Sequence, residues 1–285
     1  MNTKGSRDGK LFVVATPIGN LADITYRAVE TLREVDGIIA EDSRRSQKLL
    51  QHYNVNTNFT LSYYQGAGEK RREELIDKLL AGYDLALISD AGTPLISDPG
   101  FKLVREVREK NIEVISIPGP SASIACLAVA GQPTDSFVFD GQAPKKETKK
   151  RKYFQELRTR TRTTVIYDSP HRIETTLQLL EDVLSQRSIT VCRELTKQFE
   201  QTVKGTPSRV REQLKELKGE FTIVIAGATE EEAAQARKEK YEEVPLEEQY
   251  EGLKKLRGLS RKEAMKELAR IRGVSKRDIY EELNK

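Results

Sequence analysis

LFVVATPIGNLADITYRAVETL, Leu11 to Leu32, decides how the rest of the chain is read. LFVVAT has the continuous apolar character of a buried strand, and ADITYRAVETLREV has the spacing of an amphipathic helix. Between them lies a Pro-Gly-Asn turn. A strand passing into a helix through such a turn is the repeating unit of an α/β sheet, whose ligands bind at the carboxyl ends of the strands. Yet the glycine spacing fits neither a GxxxxGK[ST] phosphate loop nor a GxGxxG dinucleotide turn. ATP chemistry on a P-loop and standard dinucleotide binding are therefore disfavoured.

The alternation continues outward from this unit. DGIIAED, FTLSYY, DLALISD and IEVISIPG read as strands. Between them SRRSQKLLQHYNV, capped by Ser43, EKRREELIDKLLAGY, ending at Gly82, and FKLVREVREKN read as helices. This predicts an open, largely parallel sheet. After PGPSA comes SASIACLAVAGQ, which reads as a buried helix. The strands SFVFDG, TTVIYDS, SITVCREL, QTVKGT and GEFTIVIAG follow, with helices at KETKKRKYFQELRTR, RIETTLQLLEDVL and PSRVREQLKELK. This half is expected to be a second α/β domain, with antiparallel pairing where strands lie close in sequence. The expected architecture is α/β: two α/β domains, residues 1–120 and 121–228, with the change near Pro118 to Ala130, then a charged linker and helical unit over 229–285. Thr229 to Glu243 reads as a helical linker. LSRKEAMKELARIRGVSKRDIYEEL gives a helix, a stop at Gly273, a cap at Ser275 and a second short helix. Such a unit suits nucleic-acid contact and equally a hairpin packed on the body.

Composition sets the class. The chain has 285 residues, 37% hydrophobic and 32% charged, which suits a globular protein of about two domains. No apolar run approaches the roughly 18 residues a membrane span needs. MNTKGSRDGK lacks the apolar core of a signal peptide, so a cytoplasmic protein with no membrane partner is expected. Cys126 and Cys192 lie in apolar contexts and read as buried reduced thiols. With only His52 and His171 beside them, no metal site is expected. Net charge is only +4, but it is unevenly spread. In KKETKKRK, Lys145 to Lys152, six of eight residues are basic, and Lys254 to Lys285 nets +6 after an acidic stretch from Glu230 to Glu251. Two separate basic patches favour contact with a phosphate backbone.

Four loops are rich in Gly, Pro, Ser and Asp: TPIGN, DAGTPLISDPG, PGPSA and YDSPHR. Glu41 and Asp42 would point to opposite faces if they lay in a strand, and so would not form a carboxylate pair. Together with EDSRRSQKLL and RELTKQFE, these blocks resemble, in order, the signature of the bacterial ribosomal RNA small subunit methyltransferase I family. These are 16S rRNA cytidine 2′-O-methyltransferases with the tetrapyrrole methylase fold. The resemblance covers about Leu11 to Gly227. The chain departs from the expected pattern with GQAP for GFLP, EDSR for EDTR and YDS for YES.

The resemblance implies S-adenosylmethionine (SAM) as cofactor, folded into the crevice between the two domains and held largely by main chain, which Gly and Pro let approach closely. It implies contacts from Asp90, Ala91, Gly92, Thr93 and Pro94, with Ser97 and Asp98 nearby. Ser121 and Ala122 would follow, then Tyr167, Leu195 and Ala226 from the second domain. Asp42, Arg44, His171 and Lys197 are the candidates for assisting attack by a weakly acidic 2′-hydroxyl, with Arg172 and Glu194 beside them. Of these, an ordinary Lys197 is protonated and cannot act as a base. Lys145, Lys146, Lys149, Lys150, Arg151 and Arg172 are the expected contacts to RNA. The partners implied are 16S rRNA or the small ribosomal subunit, and a second copy in a homodimer. Two alternatives stay open: a tetrapyrrole C-methyltransferase, and a non-catalytic RNA-binding protein of the same fold. Against the first count the basic run, the helical tail, and TPIGN in place of a GxGPGD-like turn.

Overall fold

The computed structural model describes residues 7–284 apart from 58, 59, 64, 65, 67, 99, 243 and 273. Phe59 and Tyr64 of the expected third strand, Pro99 of the DPG turn and the expected helix stop at Gly273 lie outside the described residues.

The first sheet consists of β1 (Leu11–Val14), β2 (Gly37–Ala40), β3 (Thr60–Ser62), β4 (Leu85–Ile88) and β5 (Val114–Ile117). All pairings are parallel and the order is β3-β2-β4-β1-β5. The near-continuous apolar runs follow from cover on both faces. One face packs Leu11, Ile39, Leu85 and Leu87 against α3 (Glu69–Leu80) and α4 (Phe101–Glu109). The other packs Val14, Ile38 and Ile88 against α1 (Tyr26–Glu34) and α2 (Ser43–His52). Because β1 lies between β4 and β5, the loops leaving the carboxyl ends of these three strands converge.

Helix starts differ slightly from expectation. Leu21–Asp23 is a short 3-10 turn, and α1 begins behind Thr25, whose hydroxyl accepts from Ala28 N. Asp42, not Ser43, caps α2: its carboxylate accepts from Arg44 N at 2.9 Å. A carboxylate is the stronger cap here, since it also meets the positive end of the helix dipole. β2 ends at Ala40, so Glu41 and Asp42 lie beyond the strand.

α5 (Ala122–Ala130) carries the chain to the second sheet. The sequence suggests complete burial, but only Cys126, Leu127 and Ala130 reach the core with Val165, Cys192 and Val224. Ile124 and Val129 on the outer face are more than half exposed. The sheet contains β6 (Phe137–Gln142), β7 (Thr163–Asp168), β8 (Ile189–Arg193), β9 (Gln201–Gly205) and β10 (Phe221–Ile225), ordered β6-β7-β10-β8-β9. β6 and β7 are parallel, and the other pairs are antiparallel. Antiparallel pairing thus extends past sequence neighbours, with β10 inserted between β7 and β8. Its outer face is covered by α6 (Glu147–Leu157), α7 (Ile173–Leu184) and α8 (Pro207–Gln213).

Among the described residues the tail forms four helices: α9 (Glu230–Glu242), α10 (Leu246–Arg257), α11 (Arg261–Arg272) and α12 (Lys276–Leu283). α10 was not separable from charged linker by its sequence. Ser275 caps α12 in a reciprocal box with Asp278, as the sequence suggests. The last three helices share a small core of Leu246, Met265, Leu268 and Ile279. α9 is tied to the body by Arg158 to Glu239 and Arg187 to Glu232. Among the described residues no helix is long and apolar enough to cross a membrane.

Candidate active site

The site is built where the two sheets present loop ends to each other. Thr16, after β1, exchanges two main-chain hydrogen bonds with Gly92, after β4: Thr16 N donates to Gly92 O (2.9 Å) and Gly92 N to Thr16 O (3.1 Å). Gly92 has φ +80°, a backbone open to glycine at little cost, and a Cβ there would meet Ile18 at 3.2 Å. Thr93 donates to Pro120 O at 3.1 Å, which draws the PGPSA turn into the same wall. Tyr167, at the end of β7, accepts a hydrogen bond from Ser123 N at 3.1 Å, which fixes the start of α5 against the second sheet.

The TPIGN turn holds the second lobe. Asn20 N donates to Thr196 Oγ1 at 3.0 Å. A Cβ on Gly19 would lie 2.4 Å from Lys197 Cγ and 3.0 Å from Leu195 O. Glycine is required there by close approach. The matching turn, Glu194 to Lys197, is itself bent, with φ +51° at Glu194 and +66° at Thr196. Lys197 fixes it by bonding Glu194 Oε1 at 2.8 Å and Glu220 Oε2 at 3.0 Å.

Between these walls lies a cleft enclosing about 830 Å³ of space that opens to solvent. Ala91, Gly92, Thr93, Ser97 and Asp98 line one side, and Ser121 and Ala122 the next. Tyr167 and Leu195 close it from the second lobe. Three other expected cofactor contacts lie elsewhere. Asp90 faces a neighbouring pocket, where it accepts from Asp42 N at 3.2 Å. Pro94 is buried behind the loop. Ala226 follows the far end of β10, where its N–H bonds Ser188 O and its carbonyl accepts from Arg187. β10 runs antiparallel to β7, with Phe221 opposite Asp168, so its amino end meets the cleft. Phe221 and Thr222 line it instead, with Glu220. Sequence reasoning missed these three, as well as Ile96, Gln142, Asp168 and Cys192, whereas Ile18 belongs to the TPIGN turn; the direction of β10 is the signal that points to Glu220, Phe221 and Thr222.

No lysine, arginine or histidine lines this cleft among the described residues, and its charged side chains are Asp98, Asp168 and Glu220. Burial pushes the Asp98 carboxyl above the usual range; a bond from Ser89 opposes the rise and the nearby Asp90 charge adds to it. Asp168 is fully spent inward, where it accepts from Ser169 N (2.8 Å), Arg172 Nε (3.1 Å) and Thr176, with Lys150 Nζ at 3.5 Å.

That network corrects the expected RNA surface. Lys150 is 1% exposed and locks α6 to β7 and α7. Desolvation lowers its pKa, against the pull of Asp168. It falls on the inward face of α6, beside Phe154 and Leu157. Lys145, Lys146 and Lys149 are exposed; Arg151 pairs with Asp182 at 2.8 Å, and Arg172 with Asp168.

None of the four catalytic candidates lines the main cleft. Asp42 and Arg44 lie exposed at the start of α2, and His171 is exposed in the turn after β7. Lys197 lines the neighbouring pocket. Burial alone would lower its pKa, but the ion pairs with Glu194 and Glu220 outweigh it and the net shift is upward. Glu194 moves down by the same contacts despite its burial. Lys197 is thus held as a cation.

The neighbouring pocket shares Ile18, Ala91 and Glu220 with the cleft, so a thin wall separates the two. Ser46, Lys48 and Leu49 of α2 form its other side.

With the geometry in place, the sequence profile of the tetrapyrrole (corrin/porphyrin) methylases matches residues 10–211. The chain is 46% identical over 263 residues to "Ribosomal RNA small subunit methyltransferase I" of Synechocystis sp., covering 91% of this chain and 92% of that protein. It is 42% identical to the protein of the same description in Halalkalibacterium halodurans, covering 77% and 76%. The chain belongs to the ribosomal RNA small subunit methyltransferase I family of tetrapyrrole methylases. Among solved structures, the uroporphyrin-III-C-methyltransferase of Thermus thermophilus superposes with a TM-score of 0.54 at 16% identity, over 76% of this chain and 94% of that one, and shares the fold.

Members of this methyltransferase family use SAM. The cleft fits it. A ligand with a sulfonium and a zwitterionic amino-acid end, and no phosphate, suits walls of carboxylate and of main chain, whose N–H groups can donate to its carboxylate. The residues that would hold it are Ala91 to Thr93, Ser97, Asp98, Ser121, Ala122, Tyr167 and Leu195.

Proposed function

We propose that this chain transfers a methyl group from SAM to the ribose 2′-oxygen of a cytidine in the decoding region of 16S ribosomal RNA, acting in the cytoplasm as a homodimer. The observation that carries the reading is the cation-free cleft set beside a second pocket with lysines at its edge. One compartment suits a cationic cofactor and the other a nucleotide of an anionic polymer. The names of the relatives support RNA over a tetrapyrrole, as do exposed Lys145 and Lys146 just before α6 and Lys149 on it. The exposed Ile124 and Val129 of α5 supply an apolar surface for a second copy.

When bound, SAM supplies an activated methyl group. The chain supplies position and charge. The Asn20–Thr196 contact and the Gly19 approach hold the two lobes at fixed separation, which turns an encounter into an oriented one. Lys197, kept cationic by its carboxylate partners, stands where negative charge developing on an attacking oxygen is stabilised. It does not take the proton. Asp42, exposed at the start of α2, donates its main-chain N–H to Asp90, which lines that pocket. The backbone of the target strand runs over α6 and the basic tail.

The test is mass mapping of 2′-O-methylation in small-subunit RNA incubated with SAM and the purified protein. The reading expects one new methylated cytidine. Methyl label on a base carbon, or none on RNA despite SAM binding, contradicts it.

A further inference from the structure

The second pocket contains an anomaly. Ser46 lies on the inward face of α2, 3% exposed, in the row that elsewhere carries Leu50. A helix packed on a sheet places apolar residues there. The Ser46 hydroxyl is buried yet has no hydrogen-bond partner, although it borders an open pocket of about 820 Å³. A hydroxyl buried in this way is costly unless something pairs with it. Helix geometry does not supply the partner, because Ser46 N is already bonded to Asp42 O and Oγ stands free.

The surroundings define what would pair with it. Ile18 and Leu49 give apolar walls. Asp90 and Glu220 place carboxylates at the pocket, which accept hydrogen bonds from amino or hydroxyl groups, and Lys197 is paired to Glu220. Lys48 is exposed at the edge and has no ion-pair partner among the described residues. The ligand therefore carries donors and a flat apolar body inward and negative charge outward.

We propose that this pocket is the acceptor site, that it takes one nucleotide turned out of an RNA strand, and that Ser46 hydrogen-bonds the inserted nucleoside while Lys48 holds an adjoining phosphate. Single-stranded RNA is recognised in this way, by splaying a base into a pocket and pairing its edge. The inference rests on the functional reading above for its substrate class, and it adds the residues that select and seat the acceptor.

The experiment uses the full-length protein and small ribosomal subunits from cells lacking it. Two readouts are taken: KM for the subunits, and direct binding to them with S-adenosylhomocysteine present. Ser46→Ala should weaken both by about tenfold, the effect of one lost hydrogen bond that leaves a partner unpaired. It should leave the affinity for SAM unchanged and keep or raise the melting temperature, because no internal bond is lost and a buried unpaired hydroxyl is removed. Ser46→Thr, which retains the hydroxyl, should stay near wild type. Lys48→Ala should reduce the slope of log K against log salt by about 0.7 to 0.9. Wild-type KM and binding in Ser46→Ala overturn the proposal, and so does a marked drop in its melting temperature, which would make Ser46 structural. A wild-type protein that binds subunits and SAM but transfers no methyl group overturns the functional reading alone. The binding series then still decides the pocket.

Discussion

Lys150→Ala separates a structural lysine from an RNA-binding one within a single basic run. Lys150 Nζ is within bonding distance of Asp168 and Thr176, and both side chains of the ion pair are essentially buried. Removing one member of a buried pair costs about 3–5 kcal/mol, because the other charge is left uncompensated. Here Asp168 retains Arg172 at 3.1 Å and the Ser169 N–H at 2.8 Å, so the low end applies. A loss of about 3 kcal/mol corresponds to a fall in melting temperature of about 6–12 °C for a chain of this size. Lys150→Met, which keeps most of the volume, should recover only the packing part. Lys149→Ala, one residue away and exposed, should melt within about 1–2 °C of wild type. It should instead lower the salt slope of RNA binding by about 0.7. Differential scanning calorimetry and a salt titration of RNA binding read the two effects. If Lys150→Ala melts like wild type and weakens RNA binding, the assignment of Lys150 to the core is wrong.

Three other outcomes follow from the same geometry. The raised Asp98 carboxyl must be ionised to attract a cationic ligand, so SAM affinity should fall as pH drops through its elevated pKa, above the ordinary value of about 3.9. Calorimetry of Asp98→Asn should show weaker binding with that pH dependence removed; an unchanged profile would place the titrating group elsewhere. Gly19→Ala puts a methyl group against Lys197 Cγ and Leu195 O, so it should part the lobes, costing about 1–3 kcal/mol of stability and weakening SAM binding together. Intact stability and SAM affinity would show that the turns do not meet. Replacing Lys145, Lys146 and Lys149 by alanine together should lower the salt slope of RNA binding by about 2 while SAM affinity is retained, and an unchanged slope removes α6 from the RNA path.

The first sheet was legible because parallel strands buried on both faces are written as uninterrupted apolar runs, as in LFVV and LALI. The loops were legible because Gly and Pro punctuate them, and most of the cleft's first-lobe wall follows from DAGTP and PGPSA. What the sequence hides is direction and depth. Antiparallel insertion of β10 exchanges Ala226 for Phe221 and Thr222 at the cleft, and an apolar run reads the same either way. Lys150 looks like its neighbours in KKETKKRK, and only the helical phase set by Phe154 and Leu157 turns it inward. The grip of TPIGN on the second lobe needed tertiary structure: its glycine is small for the sake of a turn about 176 residues away. Ser46 gave no signal, since a serine in a charged helix looks solvated until its burial is seen.

A cofactor site built of main chain and carboxylates, with no cation, between the lobes should take SAM and refuse a phosphate. Isothermal titration of the purified protein with SAM, and in parallel with ATP, tests it most directly. One SAM per chain should be taken up, uptake should be lost in Ala91→Arg, and ATP should give no heat. Absence of SAM uptake, or uptake of ATP at comparable affinity, would contradict it.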